Sequence, residues 1–398
     1  MFRKTDLFVA RIRLVTLLLA LAVAAGNQIC RAQSVAAIPA DRLAAELEPE
    51  IKRAMDAGKI PSCTVALVAG DLILWQQAYG YSNVWSRTPA KIDSVYLIGS
   101  TFKAMSTVAL LQLMEQGKFK LDDPVSPHLT EFKIQGEDPK QFVTFRHLLT
   151  HVSGMPADFG PFALWGDANP PELRDYLKTS LKVTTPPLQK EVYSNMAYSL
   201  IGYLVEKLSG KSFKQYIREN VFAPLEMSDT EFNPRPDMDE RLTTPYVVDE
   251  KTGQQKATAR LRAQVWPAGL VYGTIHDQAN WLIANLNGGE FGGKRLLSEA
   301  THKQMLTKQY PQFPGPVENL WGSKQAGFGL TWWVDERGGD LYFAHSGSVP
   351  GYTAFLLGNR TRKLGVAILT NGNRAHPHLI KLADQAMDLL IKHSAAGK

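Results

Sequence analysis

Cysteine is nearly absent from this chain of 398 residues, which contains only Cys30 and Cys63. Cys30 lies in an N-terminal segment that we expect to be removed, so Cys63 then has no internal partner. A disulfide framework is therefore excluded, and a hydrophobic core has to hold the fold. With 44% apolar residues at this length, the chain can build such a core.

A large excess of one charge is also lacking outside the N-terminal segment. The formal net charge is +6, but residues 1–32 contain five basic residues and one acidic residue, so about +2 remains for residues 33–398. A nearly balanced chain gives no electrostatic support to a nucleic-acid partner or to a membrane-surface role.

The apolar run at 14–25 is too short to be a comfortable membrane-spanning helix. It follows a basic opening and precedes C-R-A at 30–32, which offers small residues at the usual cleavage positions. This order is typical of a secretory signal peptide. We therefore predict a signal peptide at 1–32, an exported protein that is periplasmic or secreted, and no stable membrane span after cleavage.

Internal repeats and low-complexity tracts are absent, so the organisation follows from the spacing of apolar residues. Strand patterns occur near both ends of the chain, at 63–69, 72–78, 329–334, 340–345, 352–357 and 364–370. Helical spacing occurs at 43–57, 100–116, 144–151, 195–208, 212–220, 276–287 and 377–392. The pattern predicts one sheet built from both chain ends, with a large helical lobe inserted and a ligand cleft between the two.

Ser100 and Lys103 are the first pair of residues with chemical potential. They lie three apart at a predicted helix start, so their side chains share one face. Apolar neighbours disfavour a charged lysine, and a neutral amine can act as the base that a serine nucleophile needs. The alternative is a capping serine beside a lysine that extends to solvent.

Tyr193 and Asn195 form a second candidate group, just before a predicted helix. A tyrosine beside a lysine can lose its proton below its ordinary pKa and act as a second base. An asparagine offers both a donor and an acceptor to an amide or ester substrate. The alternative is a packed tyrosine with Asn195 as a helix cap.

A third candidate, His345-Ser346-Gly347-Ser348, ends a predicted strand. Gly347 indicates a close backbone approach, and a free strand edge there could donate an N–H to a developing oxyanion. The alternative is a polar turn between strands.

No metal or cofactor is expected. His147 and His151 are spaced i, i+4, but the glutamate of the H-E-x-x-H metalloprotease signature is missing.

The order Ser-x-x-Lys, Tyr-x-Asn, His-x-Gly resembles the penicillin-recognising serine hydrolases. The class C β-lactamases, the D-alanyl-D-alanine carboxypeptidases and the family esterases are the most similar group. Connecting stretches at 110–125, 145–155, 193–210 and 268–274 are also typical of that family. The resemblance implies an α/β (α+β), β-lactamase/transpeptidase-like fold with an antiparallel sheet flanked by helices. It implies a single catalytic domain over 33–398, with an α/β lobe at about 40–99 and 325–398 and a helical lobe at about 100–324.

The resemblance also implies catalytic roles. Ser100 would be the acylated nucleophile, and Lys103 would accept its proton and lower the proton affinity of Tyr193. Tyr193 would serve the leaving group and later the attacking water, while Asn195 would hold Lys103 and the substrate amide.

The third motif would bind the substrate. The backbone N–H groups of Ser100 and Ser348 would form the oxyanion hole, and Ser346 would hydrogen-bond the substrate beside Gly347. β-Lactamases of this group usually carry lysine where this chain has His345, and a histidine is only partly charged near neutral pH. This difference weakens the case for an efficient β-lactamase.

The leading hypothesis is an exported hydrolase that acts on a β-lactam or a D-amino-acid peptide through an acyl-enzyme on Ser100. Its substrate would be a small molecule or a short peptide. A carboxylesterase on the same site is the alternative, and a β-lactam sensor or scaffold that acylates without release is a third. The oligomeric state stays open.

Overall fold

The computed structural model describes residues 40–395, with gaps at 159, 161, 165, 167–168, 250, 263–266, 314–322 and 324–325. The predicted signal peptide at 1–32 lies outside the described residues. Within the described part of the chain, no helix is long and apolar enough to cross a membrane.

The described elements alternate along the chain as follows. The helices are α1 Ala40–Gly58, α2 Lys103–Glu115, α3 Phe145–Leu149, α4 Leu173–Ser180, α5 Asn195–Ser209, α6 Phe213–Ile217, α7 Ile275–Leu286, α8 Glu299–Met305 and α9 His376–Ala395. The strands are β1 Ser62–Ala69, β2 Leu72–Asn83, β3 Thr88–Pro89, β4 Tyr96–Leu97, β5 Ala163–Leu164, β6 Tyr246–Val248, β7 Gln255–Ala257, β8 Leu261–Arg262, β9 Tyr272–Gly273, β10 Glu290–Phe291, β11 Lys294–Arg295, β12 Gly327–Phe328, β13 Trp333–Arg337, β14 Asp340–Val349, β15 Tyr352–Asn359 and β16 Leu364–Thr370.

One antiparallel sheet joins the two ends of the chain, as predicted. Its order is β12-β13-β14-β15-β16-β1-β2-β3, so the N-terminal hairpin pairs directly with the last strand. The hairpin turns at Gly70, whose φ of 58° favours glycine, beside Asp71. The predicted α/β (α+β) fold of the β-lactamase/transpeptidase type is confirmed.

The two faces of this sheet are covered by different helices. Alternate residues of β1 point to opposite sides, so Val65 and Leu67 join one apolar cluster while Ala66 and Val68 join another. The first cluster packs against α1 and α9, and the second packs against α7 and the inserted helices. The site lies where the inserted helices meet the sheet.

Two local predictions are wrong in detail. The strand predicted at 329–334 is interrupted: Gly329 N donates to Trp332 O, and Thr331 has φ of 80°, so pairing resumes only at Trp333. The segment 345–348 does not end a strand either, because β14 continues through it to Val349. Its pairing with β15 over eight residue pairs keeps the backbone extended.

Candidate active site

A short turn presents Ser100 at the edge of the cleft. Gly99 has φ of 56° and starts a 3-10 turn over Gly99–Phe102, after which α2 begins at Lys103. The turn differs from the predicted helix start, but it still places Ser100 and Lys103 on one side. Ser100 is partly exposed, whereas Lys103 is fully buried.

Lys103 has three hydrogen-bonding partners. Its Nζ lies 3.0 Å from Ser100 Oγ, 2.7 Å from Asn195 Oδ1 and 2.7 Å from the carbonyl oxygen of Ala268. The lysine therefore does not extend to solvent. Burial holds the pKa of Lys103 well below its ordinary value. A neutral amine has two N–H groups for Asn195 and Ala268, and its lone pair is then free for the Ser100 hydroxyl proton.

The asparagine is fixed by its own second contact. Asn195 Nδ2 donates to the carbonyl oxygen of Asp158 at 2.5 Å, which directs Oδ1 toward Lys103. The alternative that Asn195 caps the helix is wrong, because the cap of α5 is Ser194, whose Oγ accepts from Ala197 N. Asn195 is consequently available to the site.

Tyr193 lies beside both members of the first pair. Its ring centroid is 4.9 Å from Lys103 Nζ, and its hydroxyl hydrogen-bonds Ser100. Burial raises the pKa of Tyr193, and the hydrogen bond to Ser100 only partly offsets this effect. The expectation that a neighbouring lysine charge would lower this pKa is not met, because the same burial leaves Lys103 neutral.

Backbone contact joins the Ser100 turn to β14. A Cβ built on Gly347 would lie 2.0 Å from the carbonyl oxygen of Ile98, so only glycine fits there. A Cβ built on Gly99 would lie 3.0 Å from Ser348 N. The main chains of the turn and the strand therefore touch, and the N–H groups of Ser100 and Ser348 lie near each other.

Beyond this contact, β14 has a free edge among the described residues. β13 pairs only with Asp340–Ala344, so the following residues have β15 alone as a strand partner. Ser346 is half-buried and Ser348 is exposed, so both are accessible from the cleft edge. An extended substrate can pair with such an edge.

His345 has an environment that the sequence did not indicate. It is completely buried, its ring stacks on Trp333 at 5.2 Å, and its Nδ1 lies 2.7 Å from Ser346 O. Burial lowers the pKa of His345 to about 3, and the nearby Lys103 has the same direction of effect. The expectation of a partly charged histidine is therefore wrong: His345 is neutral near pH 7.

Two further contributors were missed. The carbonyl of Ala268 accepts from Lys103, and it belongs to the stretch 268–274 that the sequence marked only as typical of a family. His151 stacks on the Tyr193 ring at 4.3 Å. His147 and His151 do not form a metal site, because His147 Nδ1 accepts from Thr144 N instead. No group of three or more possible ligands is found in the described ranges.

The comparisons with known proteins agree with this geometry. The Beta-lactamase family model matches residues 47–390. Protein flp of Staphylococcus aureus strain N315 is 23% identical over 352 residues, which are 87% of this chain and 66% of that protein. Beta-lactamase-like protein 2 of Dictyostelium discoideum is 27% identical over 299 residues, which are 71% of this chain and 54% of that protein.

A solved structure is also similar. It is described as the octameric penicillin-binding protein homologue from Pyrococcus abyssi, with a TM-score of 0.73 and 25% identity over 87% of this chain and 77% of that one. The chain spans less than two thirds of the length of the staphylococcal and amoebal relatives. Because the family model matches most of the sequence, the chain belongs to the β-lactamase family.

Proposed function

We propose that this chain is an exported serine hydrolase that forms an acyl-enzyme on Ser100. The observation that supports this function best is the set of three contacts made by Lys103 Nζ, since they direct a buried amine at the Ser100 hydroxyl. Export rests on the signal-peptide pattern of residues 1–32.

Acylation follows from the protonation states that burial favours. Neutral Lys103 takes the proton from Ser100 Oγ as this oxygen attacks the substrate carbonyl. The protonated Tyr193 phenol donates its proton to the leaving group. The N–H groups of Ser100 and Ser348 stabilise the oxyanion, and loss of one such donor costs about 10²- to 10³-fold in rate.

Deacylation uses the same two groups in reverse. The Tyr193 phenolate takes a proton from the attacking water, and Lys103 returns its proton to Ser100 Oγ as the ester bond breaks. Both groups are then back in their starting states, so one turnover consumes one water and needs no other reactant.

The family resemblance favours the amide bond of a β-lactam or a D-amino-acid peptide as the scissile bond. A second candidate, a carboxylesterase, is favoured by His345. A buried neutral imidazole offers no permanent charge to a substrate carboxylate. Substrates that lack a carboxylate at that position therefore suit this site.

Matched substrates test the proposal. We expect turnover of at least one member of a panel containing a chromogenic β-lactam, a D-alanyl-D-alanine peptide and short-chain p-nitrophenyl esters, and no turnover of that member by Ser100→Ala. Turnover of the esters alone would select the carboxylesterase. Turnover retained by purified Ser100→Ala would overturn the proposal, as would a long-lived adduct with no turnover of any panel member.

A further inference from the structure

One buried residue contacts the segment around Tyr193 at three points. The carbonyl oxygen of His151 accepts from Val192 N at 2.8 Å, and its Nδ1 accepts from Ser194 N at 3.1 Å. Between these two bonds, the His151 ring stacks on the Tyr193 ring with 4.3 Å between centroids and 31° between planes. The residues before and after Tyr193, and the tyrosine ring itself, are thus all held by one side chain and its carbonyl.

The backbone at His151 is shaped for this contact. His151 follows α3 and has φ of 61°, a left-handed conformation that a chain normally gives to glycine or asparagine after a helix. No space is left around the ring, because His151 is fully buried and also packs on Tyr198 and Phe328. A histidine in a position that suits glycine indicates that its ring has a function there.

The hydrogen bonds also fix the state of the imidazole. Nδ1 accepts the N–H of Ser194, so a neutral ring carries its proton on Nε2. Burial, followed by the effects of Lys103 and His345, holds the pKa of His151 well below its ordinary value. The ring therefore stays neutral beside the Lys103–Tyr193 pair and adds no charge that would disturb it.

We propose that His151 is a positioning residue that fixes the Tyr193 phenol for proton donation to the leaving group. The proposal rests on the function proposed above. A phenol ring held only by its own backbone can rotate, and a displacement of about 1 Å in such a group can cost about a hundredfold in rate. Restraint from both neighbouring N–H groups and from the ring face removes that freedom.

Two variants separate the two kinds of restraint. His151→Asn keeps an acceptor in the δ position for Ser194 N and tolerates a positive φ, but it removes the ring that stacks on Tyr193. His151→Phe keeps a stacking ring but removes the acceptor. If one variant does not fold, the other tests the proposal.

The readout is a ratio that misfolding does not change. For each variant, kcat/KM is measured on two esters with the same acyl group, a p-nitrophenyl ester and an alkyl ester. The p-nitrophenolate leaves without a proton, whereas the alkoxide needs one from Tyr193. Because both values come from one preparation, the fraction of folded protein cancels in their ratio.

We expect each His151 variant to raise the ratio of p-nitrophenyl to alkyl ester kcat/KM at least tenfold. We expect Tyr193→Phe to raise it further, and the double variant H151N/Y193F to match Y193F alone. The matched control is His147→Asn, another buried histidine in the same region that does not stack on Tyr193, and it should leave the ratio within twofold.

Several results would overturn the proposal. They are an unchanged ratio in both His151 variants, an equal rise in His147→Asn, or a further rise when H151N is added to Y193F. If Y193F raises the ratio and the His151 variants do not, only the positioning role is lost. If Y193F itself leaves the ratio unchanged, the proton-donor role of Tyr193 fails and takes the His151 proposal with it.

Discussion

At the scale of single residues, the site depends on Lys103 being a neutral base. Its three oxygen partners would suit an ammonium group in geometry, but none of them carries a formal charge to compensate for burial. Burial therefore disfavours the cation, and the amine becomes basic toward Ser100 rather than toward water. The neutral His151 and His345 on the same side of the cleft are consistent with this state.

Lys103→Met tests the neutral amine through its effect on the pH dependence of stability. Between the folded-state pKa and the unfolded value near 10.5, the unfolded chain binds a proton that the folded chain does not. The stability of the wild type should therefore rise with pH relative to Lys103→Met, by about 1.4 kcal/mol per pH unit. Urea unfolding of both proteins at pH 7, 8 and 9 measures this difference.

Parallel curves for the two proteins would contradict the neutral amine, because they would mean that Lys103 carries its proton in the folded state as well. The same variant should lose about 10²- to 10⁴-fold in kcat/KM on any substrate that the wild type turns over, the usual contribution of a general base.

At the scale of elements, the site is formed where the Gly99–Phe102 turn meets β14. No side chain separates them, so the position of the oxyanion donors depends on two glycines. Gly347 lies against the carbonyl of Ile98, and Gly99 lies against Ser348 N. The strand and the turn are therefore a single mechanical unit.

Gly347→Ala should separate this unit. The added Cβ would lie 2.0 Å from Ile98 O, which is backbone and cannot rotate away. We expect kcat/KM to fall at least a hundredfold as Ser348 N moves from its position. Steady-state kinetics on the best panel substrate gives the value.

Gly338→Ala, in the distant hairpin between β13 and β14, is the matched control. Its φ of 58° makes alanine strained, but no atom lies within 4 Å of the added Cβ. It should lose about 1 kcal/mol of stability and keep its activity. Full activity in Gly347→Ala would show that the close contact does not set the oxyanion donors.

The elements show where a sequence is informative and where it is not. The helices carrying Ser100, Lys103 and Asn195, and the sheet built from both ends, follow from local apolar spacing, and most of them were predicted. The strand broken at Thr331 was not, because Thr331 N bonds to Leu149 O, a partner far away in the chain.

Side-chain environment was harder to predict than element type. His345 was expected to be partly charged, but its burial beside Trp333 depends on how β13 pairs with β14. Ala268 acts through a carbonyl, which every residue has, so no residue type marks it. The candidate site residues were named from their order alone, and their roles stay predictions.

At the scale of the whole molecule, buried histidines make stability depend on pH. The pKa is lowered by burial to about 4 in one histidine, to about 3 in two, and well below 6.5 in a fourth: His147, His302, His345 and His151. The unfolded chain binds protons below pH 6.5 that these folded groups do not. Burial acts oppositely on two acids, raising the pKa of Asp277 to about 6 and of Glu191 to about 7.

The histidines outnumber the acids, so the free energy of unfolding should fall as pH is lowered from 6.5 to 4.5. His302→Gln isolates one contribution, because it cannot titrate in this range and keeps a donor toward Asn285 Oδ1. Its loss of stability should be smaller by about 1.4 kcal/mol per pH unit. Urea unfolding at pH 6.5, 5.5 and 4.5 tests this, and identical slopes for both proteins would contradict the neutral buried ring.

The most direct test of the proposed mechanism is to locate the acyl group. Purified protein is exposed briefly to the best substrate of the panel, quenched in acid, and measured by intact mass and by peptide mapping. We expect one acyl group per chain, carried by Ser100, appearing and decaying at rates consistent with kcat and absent from Ser100→Ala. An acyl group on another residue, or full turnover with no adduct on Ser100, would contradict the acyl-enzyme mechanism.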